Sequence, residues 1–141
     1  MNSRQYASAR EALSRVQQIN PESQVRELAM IELLEGHAEK ALELAPHNPH
    51  ITALAAHTLG RKAQSQHDLE ELVSQFAQVE AYQIAEVYAW RGETDKAFQW
   101  LDRAYAQIDA GLMCIKSDPF LDNIRSDPRF AAMLKKMNLP E

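Results

Sequence analysis

The chain has 141 residues, 45% of them hydrophobic and 25% charged, with a formal net charge of −5 at pH 7. That length matches a single domain able to bury roughly 70% of its unfolded surface. The acidic balance excludes a dedicated nucleic-acid binder, which needs a basic footprint for phosphates, and one cysteine, Cys114, excludes an internal disulfide or a cysteine-rich zinc site.

In chain order, apolar residues recur at the three-and-four spacing of helices, and no stretch shows the Val/Ile/Thr alternation of strands. The first helix is expected over 3–19; its N-terminal residues MNSRQYASAR contain no apolar leader region. Helices follow over 21–35, 37–45, 49–63 and 67–77. The acidic residues from Glu27 to Glu43, and the pair Glu70-Glu71, are expected on solvated faces. A stripe of small residues, Ala81, Ile84, Ala85 and Tyr88, marks a helix over 79–91 that a neighbour can approach closely. In 94–109 two stripes adjoin: Ala97, Leu101, Ala104 and Ile108, and Phe98, Leu101, Tyr105 and Ile108. Together they predict a helix packed on two sides. Two short helices, 119–125 and 128–137, finish the chain.

Proline places the starts. Asn20-Pro21, Asn48-Pro49, Asp118-Pro119 and Asp127-Pro128 each combine an N-cap side chain with a residue suited to the first helical position. Ala45-Pro46 marks a stop instead. The twice-written Ser-Asp-Pro of 117–119 and 126–128 is therefore punctuation, and Asp118 and Asp127 are caps rather than a catalytic pair. Arg125 and Arg129 are expected to pair with Asp122 or Asp118. No apolar run reaches the length of a membrane span, so a soluble, cytoplasmic protein is expected.

The hairpins recur about every 30 residues. In 78–109 the positions Ala85, Tyr88, Gly92, Ala97, Leu101 and Ala104 resemble a tetratricopeptide repeat, and 49–80 follows more loosely through Ala56, Leu59 and Leu72. Ala9, Leu13, Val16 and Pro21 match the second helix of such a repeat. With KSDPFLDNIRSDPRF at 116–130, the chain is similar to the C-terminal tetratricopeptide regions of bacterial winged-helix regulators, nucleotide cyclases and kinases. The resemblance implies an all-α, antiparallel helical-hairpin solenoid of right-handed superhelix, with residues 110–141 as a C-terminal cap. It also implies a non-catalytic scaffold that binds a protein, as a peptide or helix, in its concave groove, within a regulatory or signalling system.

Groove positions carried over from that resemblance are Val79, Tyr82, Glu86, Ala89 and Trp90, and, one hairpin earlier, His50, Ala53, His57 and Arg61. Tyr82 and Trp90 are the natural anchors, with apolar bodies and polar handles; Trp90 is also a candidate for packing beneath a neighbouring hairpin. Residues 48–110 hold five Lys/Arg against nine Asp/Glu, which favours a basic peptide over an acidic one. Homodimerisation through an exposed N-terminal helix edge is the alternative, and a metal-dependent or enzymatic sensor built on histidines a more distant one. His50 and His57 lie seven residues apart, about 10 Å along a helix, too far to share an ion, so the five histidines are expected at the surface. There is no phosphate loop or nucleophile elbow. Cys114 is expected as a buried small hydrophobe. No catalytic residue, cofactor, metal, nucleic acid or membrane enters the expectation.

Overall fold

The computed structural model describes residues 3–17 and 24–141. Among these residues the fold is all-helical, without a strand, and no helix is long and apolar enough to cross a membrane. The chain divides into two compact units, Met1–Asp68 and Leu69–Glu141.

The first unit holds α1 (Ser3–Gln17), α2 (Val25–Leu34), α3 (Ala38–Leu44) and α4 (Pro49–Thr58); α5 (Lys62–Phe76) carries the chain into the second. Its core is built largely from small and branched side chains: Ala29, Ile31 and Leu33 on α2, Ala38 and Ala41 on α3, and Ile51 through Ala56 on α4, all buried. Alanines at such sites let helix axes approach closely. In the second unit α6 (Ala81–Trp90) and α7 (Thr94–Gln107) form an antiparallel hairpin. Two 3-10 helices, Ala110–Cys114 and Pro119–Ile124, and then α8 (Pro128–Lys136) follow. Ala85, Ala97, Leu101 and Ala104 are fully buried between the hairpin helices and join Leu112, Ile115, Leu121, Ile124 and Phe130 in one core.

Helix starts follow the proline punctuation. Asn48 Oδ1 accepts from the N–H groups of His50 (3.1 Å) and Ile51 (3.3 Å). Asp118 accepts from Phe120 N–H and Asp127 from Arg129 N–H, both at 2.9 Å. Asn20-Pro21 lies outside the described residues. The ends of α2, α4, α6, α7 and α8 share one closure, in which a residue with positive φ lets the next N–H reach back five residues. Gly36, Gly60 and Gly92 do this after α2, α4 and α6, and Asn138 after α8. After α7 the same position is taken by Ile108, at φ 55.

Gly60 corrects one boundary. The predicted helix 49–63 stops at Thr58 and α5 begins at Lys62 rather than 67. The polar run Arg61–Gln66 shows no apolar period, yet Ser65 is buried and its hydroxyl donates to the Ala53 carbonyl at 2.9 Å. Residues 110–114 form a 3-10 helix that the apolar pattern does not mark. The Asp118 cap opens a 3-10 helix rather than an α-helix.

Candidate functional site

Of the positions expected to line a groove in the first unit, His50 and Ala53 are fully buried and His57 half-buried. Arg61 is exposed and pairs with Glu39 at 2.6 Å. His50 thus departs from the expected surface histidine, because the face of α4 that carries it is core from Ile51 to Ala56. In the second unit Val79 is exposed and Trp90 half-buried, whereas Tyr82, Glu86 and Ala89 are buried.

What covers them is the chain itself. The segment 109–124 lies along α6, beginning where Asp109 Oδ2 accepts from Tyr82 N–H at 3.0 Å. Gly111 follows, and a Cβ built there would stand 2.6 Å from Tyr82 Cδ1, so only glycine allows so close a crossing. Phe120, Leu121 and Ile124 are buried, with the Phe120 ring 5.1 Å from that of Trp90. Asn123 Nδ2 donates to the carbonyls of Ala89 (3.1 Å) and Trp90 (3.4 Å) at the far end of α6. The segment is thereby held near both ends and in the middle.

The middle contact is polar. Tyr82 Oη donates to Asp118 Oδ2 at 2.7 Å, and Asp118 and Glu86 are 5% and 4% exposed. Burial pushes the Asp118 carboxyl up to about 8, and the hydrogen bond and charge of Glu86 add to it; the Tyr82 hydroxyl and Phe120 N–H pull the other way. The Asp118 carboxyl therefore keeps its proton at neutral pH, since burial and a neighbouring carboxyl oppose its ionisation. Burial and the charges of Asp118 and Glu86 raise the Tyr82 phenol as well, so it stays a donor. The cap reading of Asp118 holds for one oxygen; the other completes a buried cluster whose second carboxyl is Glu86, not Asp127. Both carboxyls are closed off from solvent beneath the covering segment.

A second polar cluster lies in the first unit. Glu32, expected on a solvated face, is buried to 1% and receives Arg10 (2.7 Å), His37 Nδ1 (2.8 Å) and Lys40 (3.1 Å); Arg10 also pairs with Glu35. Burial pushes the Glu32 carboxyl up, but hydrogen bonds from Arg10, His37 and Lys40 outweigh it and hold it at about 2. Glu32, Glu35 and His37 place potential metal-ligand atoms within 4.8 Å of one another. Arg10 and Lys40 already neutralise these carboxylates, a cation arrangement that opposes a divalent ion.

Arg125 pairs with Asp122 at 2.8 Å as expected, and reaches Asp118 through its backbone carbonyl. Arg129 turns instead to Asp127 (2.9 Å) and to Asp95 on α7 (2.8 Å). Cys114 is exposed, contrary to expectation, because the 3-10 turn points Leu112 and Ile115 inward and Met113 and Cys114 outward. No family model, curated protein or solved structure matches this chain.

Proposed function

We propose that the protein is a non-catalytic protein–protein interaction module, a tetratricopeptide-like hairpin array, whose α6 face takes a short apolar segment of a partner in a bacterial regulatory or signalling system. The observation that carries this reading is the α6 face itself. It is built from small residues, Ala81, Ala85 and Ala89, and holds the covering segment by the buried anchors Phe120, Leu121 and Ile124 and by three polar contacts. That is how peptide grooves work: apolar anchors supply affinity, and a few fixed polar groups set register. In this chain the segment is supplied in cis, so a partner competes with residues 109–124. The resemblance to tetratricopeptide regions and the Gly92-closed hairpin of α6 and α7 support the same reading.

The test is competition. A labelled peptide of residues 116–130 is titrated, with anisotropy as readout, against the wild-type chain and against Phe120→Ala and Asn123→Ala chains. The peptide is expected to bind the variants, whose own segment is weakened, and not the wild type. Variants that keep native circular dichroism yet bind no peptide would overturn the reading.

A further inference from the structure

We propose that the end of the second unit where α6 begins and α7 ends docks a second copy of this chain. The proposal concerns the outward side of α7 and of the covering segment, not the α6 face beneath it, and it does not rest on the function proposed there. Among the described residues the exposed large hydrophobics are Val79 (69%), Tyr105 (38%), Ile108 (91%) and Met113 (87%). All four lie at this one end. Gln107 Nε2 donates to the Ala77 carbonyl at 3.1 Å, which sets the segment before α6 against the last turn of α7. Asp109, next to Ile108, holds Tyr82 N–H at 3.0 Å. Between Ile108, Met113, Leu112, Met137 and Leu139 opens a hollow of about 690 Å³.

Ile108 is the residue that folding does not explain. Among the described residues five helix ends close on a positive-φ residue; three use glycine and one asparagine, which tolerate that region, while α7 uses a β-branched isoleucine at φ 55, ψ 45. The backbone bears the strain of the left-handed position, and the side chain, 91% exposed, recovers no burial in exchange. A strained residue that projects an apolar side chain into solvent is kept for a contact outside the chain.

The occupant is argued from shape, area and charge. The patch carries both a projection, Ile108 and Met113, and a hollow beside it. Under a two-fold axis each projection enters the other copy's hollow, the self-complementarity an isologous interface requires. Four side chains exposed to this extent present on the order of 500 Å² of apolar surface, near the upper end for a lone monomer, and most of the roughly 800 Å² per partner of a standard interface. Both signs of charge stand at the rim, with Lys136 3.7 Å from Asp102 and 4.4 Å over the Tyr105 ring.

Light scattering of the full chain over a roughly hundredfold concentration range reads the outcome by mass action. The wild type is expected to pass from monomer to dimer. Ile108→Gly and Met113→Lys are each expected to move the midpoint to at least about tenfold higher concentration. Measured where both proteins are monomeric, the thermal midpoint of Ile108→Gly is expected to equal or exceed that of the wild type, since the strain is gone and no packing is lost. A wild type that stays monomeric throughout, or variants that dimerise as well as wild type, would overturn the proposal. Either result leaves the peptide competition on the α6 face untouched.

Discussion

Asp118 uses its two oxygens for different ends: Oδ1 caps the 3-10 helix and Oδ2 takes the Tyr82 hydroxyl proton in hydrogen bonding. Its folded carboxyl lies at about 8, above the ordinary 3.8. The stability it contributes is therefore full below the ordinary value and is lost as pH rises through the folded one. In that window the second unit loses stability by up to about 1.4 kcal/mol per pH unit, the slope of one proton. Asp118→Asn keeps a cap oxygen and removes the titrating carboxyl. Stability read by urea unfolding and tryptophan emission is expected to fall from about pH 4 to about pH 8 in the wild type, to level off above that, and to lose this slope in the variant. An equal fall in both would dismiss the carboxyl pair as its source. Glu32, by contrast, is a carboxylate kept charged under burial by three donors.

At the scale of elements, the covering segment 109–124 is as much a part of the second unit as α7. Its closest approach is Gly111 over the Tyr82 ring, and Tyr82 cannot withdraw, since its hydroxyl is tied to Asp118. Gly111→Ala is expected to cost about 1–3 kcal/mol, as overpacking does, and to shift Trp90 emission to the red as the Phe120 ring lifts. Unchanged stability and emission would mean that the segment does not lie across Tyr82. The helix starts were legible because Asn-Pro and Asp-Pro act within one turn, and the α6–α7 hairpin was legible because Ala85, Ala97, Leu101 and Gly92 act between neighbours. The cover was not. Whether Tyr82 and Glu86 face a ligand or core depends on a segment some 30 residues away, and no local period encodes its return. Glu32 escaped for the same reason, since its partner Arg10 lies 22 residues off. The apolar stripe of α7 misled at its end: Ile108 continues the period in sequence, but a left-handed backbone at that residue turns it outward.

The whole molecule divides in its response to acid. Glu32, at about 2 rather than 4.5, stabilises the first unit above the ordinary value, and that contribution is lost as pH falls through the folded one. Asp118 gives the second unit its full contribution over the same acid range. Both tryptophans, Trp90 and Trp100, belong to the second unit, so their emission reports it selectively. Between about pH 4.5 and 2 helical circular dichroism is expected to weaken while tryptophan emission holds, and Glu32→Gln is expected to remove that acid loss. Coincident loss of both signals would mean that the two units do not respond separately. The cover has a further consequence, which is a matter of concentration. Residues 109–124 are joined to the face they occupy, so they act as a competitor present at millimolar effective concentration for a short tether. A free segment of equal intrinsic strength then half-displaces them only when it too is millimolar. On the reading proposed above, a partner's segment would have to bind α6 about a thousandfold more tightly than the chain's own segment, or arrive tethered itself.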